Sequence, residues 1–110
     1  MNPSSSRSDA LINKWEGRRV LNDRLDWNLL RTYLAIGQEG SISRAAARLH
    51  VTQSAVSQAL RRLEEQLGCA LIIRGGPRFD LTAAGEEVLR IAIDIYGDVS
   101  RISAAVEQES

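Results

Sequence analysis

One stretch of the sequence carries, along one side of a helical pattern, polar side chains of the kinds that contact nucleic acids. Between Gln53 and about Gln66, apolar residues recur at three- and four-residue steps. The other side carries amides, hydroxyls and guanidiniums: Gln53, Ser54, Ser57, Gln58, Arg61 and Arg62. Glutamine can pair bidentately with adenine, a serine hydroxyl can donate or accept a hydrogen bond, and arginine suits phosphate. A polar face on a surface helix is usually only solvated, so the elements on either side of this helix must show whether its polar face binds a partner.

A second helical pattern lies immediately before this one and would brace it. It covers Arg44 to His50, with Ser43 as the expected N-cap and with Ala45, Ala46 and Leu49 as the inner stripe. Val51 is expected to fill the turn, and Thr52 to cap the polar helix, which ends at Gly68. The pair is a helix-turn-helix, whose second helix enters the DNA major groove. In this setting the polar face favours DNA binding over simple solvation.

Other elements are needed to position the pair. Asp26 is the expected N-cap of a helix from Trp27 to about Gln38, and we expect Trp27 and Tyr33 to be core residues. After Gly68 the period changes, and the segments 70–74 and 78–81 alternate as short strands around the turn Gly75-Gly76-Pro77. This predicts a two-stranded wing, with Arg74 and Arg78 reaching the flanking groove. The architecture is therefore mainly α, a winged helix-turn-helix of three helices and a wing.

A long helix follows the wing. Thr82 is its expected N-cap, and it should run from Ala83 to about Gln108. Apolar residues recur in it at heptad spacing, and we predict that this seam packs against the same helix of a second copy: Val88, Ala92, Ile95, Val99, Ile102 and Val106. An intramolecular core is the alternative for the seam. The predicted divisions are an N-terminal extension over 1–24, the DNA-binding unit over 25–82 and the linker or dimerisation helix over 83–110.

Charge is distributed unevenly along the chain. The 110 residues suggest one domain, and their net charge of zero argues against a nucleic-acid binder when taken alone. However, residues 41–85 hold six arginines against three acidic residues, whereas residues 86–110 hold two arginines against six acidic residues. A basic middle with an acidic end fits a surface that meets phosphate.

Several classes of function are disfavoured by what the sequence lacks. The lone Cys69 cannot form an internal disulfide and is expected to be buried, and His50 is expected to pack at a helix end and not to bind a metal. We see no catalytic carboxylate pair, Ser/His/Asp set or cofactor motif, so we expect neither an enzyme nor a cofactor. We find no membrane-spanning run and no secretory signal, so the cytoplasm is the expected location.

The residues predicted to contact DNA come from all parts of the helix-turn-helix and the wing. They are Ser43, Arg44, Thr52, Gln53, Ser54, Ser57, Gln58, Arg61, Arg62, Arg74 and Arg78, with Arg48 close to phosphate. Arg61 has an alternative, which is to pair with Glu64 or Glu65 on the helix surface. The rival function for the whole chain is a winged-helix module that binds proteins without reading DNA.

The sequence resembles the DNA-binding domain of LysR-type transcriptional regulators. The matching segments are 41–46, 49–57, 63–68, 71–74 and 81–85, in the family's order and spacing. The resemblance implies a bacterial transcription regulator that binds an interrupted inverted repeat as a dimer, or a tetramer, paired through the long helix. Gln58 stands where the family often has Arg, and Ile72 where it usually has Phe. Members also carry an effector-binding domain, so we expect this chain to be a fragment, with a natural short form as the alternative, and in either case to lack inducer sensing.

Overall fold

A computed structural model describes residues 25–76 and 79–109. The elements are α1 (Trp27–Glu39), α2 (Ile42–Leu49), α3 (Gln53–Leu67), β1 (Ile72–Ile73), β2 (Asp80–Leu81) and α4 (Ala83–Glu109). The predicted fold class, a winged helix-turn-helix followed by a long helix, is confirmed. The predictions for the extension over 1–24, for Arg78 and for Ser110 lie outside the described residues.

Local capping residues set the helix boundaries, as expected for ends whose first N–H groups have no helical partner. Asp26 accepts a hydrogen bond from the Asn28 amide at 2.8 Å, so the predicted start of α1 is confirmed. The prediction that Ser43 caps α2 is wrong. Ser41 has the extended backbone of an N-cap and accepts from the Arg44 amide at 3.2 Å, which places Ser43 inside the first turn.

The core forms where α1, α2 and α3 meet. Its buried side chains include Leu30, Tyr33, Ile36, Ala45, Ala46, Val56, Leu60, Leu63 and Leu71. Ala45 and Ala46 are buried, as expected for the inner stripe of α2. The expectation that Trp27 is a core residue is wrong, because Trp27 is 49% exposed at the start of α1.

The start of α4 is locked onto α1 and the wing by a glycine in its first turn. A Cβ on Gly85 would lie 2.0 Å from the Leu71 carbonyl oxygen and 2.9 Å from the Tyr33 hydroxyl oxygen, so only glycine fits without movement. The Tyr33 hydroxyl donates a 2.7 Å hydrogen bond to the Gly85 carbonyl. Burial, followed by the nearby Glu64 carboxylate, raises the pKa of Tyr33 to about 12, so this donor is retained across the neutral range.

The heptad seam of α4 divides into two parts. Ala92 is fully buried against its own chain, with Val88 and Ile95 half-buried beside it, so the placement of Ala92 in a dimer interface is wrong. Farther along, Val99, Ile102 and Val106 are 49%, 63% and 64% exposed. The Tyr96 hydroxyl donates to the Trp27 carbonyl at 3.0 Å and marks the end of the packed half. No described helix is both long and apolar enough to cross a bilayer.

The wing is shorter than the alternating sequence predicted. Its antiparallel register pairs Ile72 with Leu81 and Ile73 with Asp80. Thr82 caps α4 as predicted, by accepting from the Gly85 amide at 2.9 Å. Cys69 was expected to be buried but is exposed, because Leu71 occupies the buried position next to the helices.

Candidate nucleic-acid interface

The turn between α2 and α3 is closed by backbone hydrogen bonds. His50 adopts the left-handed conformation with φ 59°, and its amide bonds to the Ala46 and Ala47 carbonyls at the end of α2. The Val51 amide also donates to the Ala46 carbonyl at 3.0 Å. Val51 itself is 48% exposed, so it does not fill the turn as expected. The turn between α2 and α3 is therefore held by backbone hydrogen bonds and not by a buried side chain at Val51.

The N-terminus of α3 is capped as predicted. The Thr52 hydroxyl accepts from the Ala55 amide at 3.0 Å, which leaves its own proton free to donate outward. The first amides of a helix point along its axis and favour an anion beyond the end. The start of α3 therefore combines an exposed hydroxyl with a positive helix terminus.

The polar side of α3 lies open to solvent. We call it the α3 polar face; it consists of Gln53, Ser54, Ser57, Gln58, Arg61 and Arg62, of which Ser57 is half-buried and the others are exposed. Val56, Leu60 and Leu63 hold the opposite side in the core. The Gln58 amide lies 3.5 Å from the Ser54 hydroxyl, a long and weak contact that leaves both groups available to a partner.

Three of the predicted phosphate-binding arginines make no ion pair with any other described residue. These are Arg44, Arg61 and Arg62, all of which are exposed. The alternative pairing of Arg61 with Glu64 or Glu65 is not formed. Arg48 does have a partner, Glu39, at 3.4 Å on the surface. Among the described arginines that the sequence placed at the interface, those without an ion pair therefore lie on α3 and at the start of α2.

Arg74 has a partner that the sequence did not suggest. Its guanidinium donates to both carboxylate oxygens of Glu64, at 2.6 and 3.2 Å. The Leu71 amide also donates to this carboxylate, at 2.7 Å. Burial raises the pKa of Glu64, but the hydrogen bonds from Arg74 and Leu71 outweigh it and hold the pKa below its usual value. The only available signal was a Glu and an Arg ten residues apart, flanking a helix end.

The chemistry offered by the described parts of the chain is that of binding. They contain no group of three or more His, Cys, Asp or Glu residues that could hold a metal ion. What they bring together is the α3 polar face, the Thr52 cap and the unpaired arginines, beside the base of the wing. Together, the fold and this open surface define a winged helix-turn-helix domain of the type found in DNA-binding proteins.

Solved structures with the same fold include two complexes with DNA. One is the complex of the BenM DNA-binding domain with the benA site 1 DNA; it has a TM-score of 0.71 and 27% identity, with 76% of this chain and 94% of that chain covered. Another is the complex of the CbnR DNA-binding domain with DNA, which has a TM-score of 0.66 and 29% identity, with 77% of this chain and 98% of that chain covered.

Comparison of sequences identifies the family. Residues 27–86 match the family described as "Bacterial regulatory helix-turn-helix protein, lysR family". The chain belongs to this family of transcriptional regulators. Relatives include the regulator MetR of Haemophilus influenzae, 34% identical over 98 residues, and the activator AmpR of Citrobacter freundii, 38% identical over 86 residues. The matches cover 76% and 74% of this chain but 32% and 30% of these relatives, so the chain spans about a third of their length.

Proposed function

We propose that this chain is the sequence-specific, duplex-DNA-binding part of a LysR-type transcriptional regulator. The observation that carries the proposal is the exposure of the α3 polar face, in which Ser57 alone is half-buried, beyond a capped helix start. The two relatives solved with DNA support DNA as the partner over the rival of a protein-interaction module. We propose a cytoplasmic, non-enzymatic protein with its binding unit in residues 25–82 and its linker helix in residues 83–110.

In the proposed complex, α3 lies in the major groove with its N-terminal half against base edges. Gln53, Ser54, Ser57 and Gln58 supply donors and acceptors at that end. Arg61 and Arg62 follow toward the phosphates, while Ser43, Arg44 and Thr52 approach the backbone from the start of α2 and the helix cap. Arg78 is proposed to serve the wing. Because phosphates carry no sequence information, discrimination depends on the amides and hydroxyls.

We propose that two copies pair through the exposed half of α4. Val99, Ile102 and Val106 present an apolar stripe there. The stripe leads toward an apolar cavity of about 260 Å³ lined by Leu25, Trp27, Leu30, Leu67, Val88, Ile91 and Ile95. Val88 and Ile95 of the predicted seam thus remain available, whereas Ala92 is not. Such a dimer would read an interrupted inverted repeat, with recognition helices roughly 34 Å apart or a multiple of this distance.

The test starts from duplexes that the chain itself selects from a randomised library. Substituting Ser57→Ala should weaken discrimination at one base position by roughly 1–3 kcal/mol. Arg62→Ala should weaken binding to all sequences alike and reduce the slope of log affinity against log salt by about 0.9. Ser100→Ala, on α4 and away from α3, is the control. Binding that does not respond to salt, or equal behaviour of all three variants and the wild type, would reject the DNA interface.

A further inference from the structure

The carboxylate of Glu64 joins the last turns of α3 to the chain that enters the wing. It accepts hydrogen bonds from the Leu71 amide and from two nitrogens of the Arg74 guanidinium. The Glu64 side chain is only 11% exposed, whereas its neighbour Glu65 is exposed. A side chain held this way ties two separate parts of the backbone together.

The second strand of the wing is anchored at the same place by other groups. The Thr82 hydroxyl donates to the Ala70 carbonyl at 2.7 Å, and the Thr82 amide donates to the Leu71 carbonyl at 3.0 Å. The strands themselves pair over two residues each, as β1 and β2. An isolated two-stranded hairpin is at best marginally stable. The direction of the wing therefore depends on the anchors at its base.

In the ion pair, the positive charge of Arg74 is already matched by the Glu64 carboxylate. Both carboxylate oxygens of Glu64 are occupied by its nitrogens, an arrangement that is stronger and more directional than a single contact. Moving Arg74 to a phosphate would leave a largely buried carboxylate without its cation, which is costly. Arg61 and Arg62, by contrast, are exposed and make no ion pair with a described residue. Arg74 is thus unlike Arg61 and Arg62, whose charges are free to meet a phosphate.

We propose that Glu64 is a positioning residue for DNA binding. By holding Arg74 and the Leu71 amide, it fixes the angle between α3 and the wing, so that both meet one duplex together. Arg74 then acts through Glu64 and does not bind phosphate. This inference rests on the proposed DNA-binding function and assigns a role within it. It replaces the direct contact with the flanking groove that the sequence suggested for Arg74.

The test uses a duplex selected by the wild-type chain and a trimmed form that lacks the base pairs flanking the α3 site. Glu64→Gln should lower affinity for the long duplex about tenfold, because the contacts of the wing are lost while those of α3 remain. Its affinity for the trimmed duplex should match that of the wild type. Glu65→Gln, one residue away and exposed, is the matched control and should change neither affinity.

Exchanging the charges of Glu64 and Arg74 distinguishes a positioning ion pair from a direct contact between Arg74 and phosphate. Arg74→Glu alone should weaken binding to the long duplex, and the double change Glu64→Arg with Arg74→Glu should restore part of that loss, because the ion pair is formed again although arginine at position 64 cannot accept from the Leu71 amide. Arg74→Lys keeps the charge but not the paired geometry; it should weaken the same duplex with an unchanged salt slope. A direct phosphate contact predicts no recovery in the double variant, and a slope reduced by about 0.9 in Arg74→Ala.

Failure of the inference can be separated from failure of the proposed function. If the wild-type chain selects no duplex and shows no salt-dependent binding, the proposed function is rejected and the positioning role is rejected with it. If the wild type binds but Glu64→Gln binds both duplexes equally well, only the positioning role is rejected. Circular dichroism of each variant at the assay temperature verifies folding, and Arg74→Lys provides the same comparison if Glu64→Gln unfolds.

Discussion

Replacement of Gly85 by alanine tests the junction between α4 and the DNA-binding unit. The added Cβ would lie 2.0 Å from the Leu71 carbonyl oxygen and 2.9 Å from the Tyr33 hydroxyl oxygen. The nearest of these atoms belongs to the backbone, so no side-chain rotation can relieve the overlap. Either α4 moves away from the wing or the strand that follows Leu71 shifts.

The expected cost can be worked out from three contributions. Overpacking of a filled site typically costs about 1–3 kcal/mol. Displacing α4 also strains the Tyr33–Gly85 hydrogen bond, and a buried polar group left unpaired costs about 1–3 kcal/mol. Against this, alanine is favoured over glycine within a helix by about 1 kcal/mol. We therefore expect the free energy of unfolding to fall by roughly 1–5 kcal/mol.

A second glycine of the same helix provides the control. A Cβ on Gly97 would meet nothing within 4 Å, so Gly97→Ala should raise the free energy of unfolding by about 1 kcal/mol. Urea unfolding followed by circular dichroism, at one fixed protein concentration, measures both variants. If Gly85→Ala proved as stable as Gly97→Ala, the close packing at this junction would be refuted.

Three further perturbations address the buried tyrosine, a helix cap and the exposed half of α4. Because burial raises the pKa of Tyr33 to about 12, this residue's contribution to stability should be present in full below pH 10 and fall by about 1.4 kcal/mol per pH unit as the pH rises toward 12. In alkaline urea titrations, Tyr33→Phe should remove this contribution and leave that of Tyr96, whose pKa burial also raises. Thr52→Ala removes the acceptor for the Ala55 amide and should cost about 1 kcal/mol in thermal unfolding; no loss would show the cap to be unimportant. Ile102→Glu should dissociate the proposed dimer in sedimentation equilibrium, whereas Ala104→Glu, on the opposite side of the same helical turn, should not.

Features fixed by neighbouring residues could be predicted from the sequence. Asp26, Thr52 and Gly68 sit at helix ends as expected, because capping depends on one side chain or one left-handed residue within a single turn. The exposure of the α3 polar face also follows from spacing, since Val56, Leu60 and Leu63 require the opposite side to be buried. Ser41 and Ser43 could both serve as the N-cap of α2, and the type of residue alone does not show at which of the two serines the helix begins.

Features fixed by contacts distant in sequence could not be predicted. The heptad spacing of α4 is the same on both sides of Gly97, yet Ala92 packs against its own chain while Ile102 does not. Spacing identifies an apolar stripe but does not say which surface covers it. The Glu64–Arg74 pair is similar, because a charge on a helix surface has several partners within reach until the wing is placed.

The rigid attachment at Gly85 makes α4 a lever. At 1.5 Å per residue, the part of this helix beyond Gly97 extends about 18 Å from the packed unit, so a rotation of about 10° about the point where α4 leaves that unit displaces its tip by roughly 3 Å. A shift of that size is comparable to one base-pair step along a duplex. Torque applied at the far end of α4 would therefore reach α3 as a change of alignment with the groove, without any rearrangement inside the three-helix core.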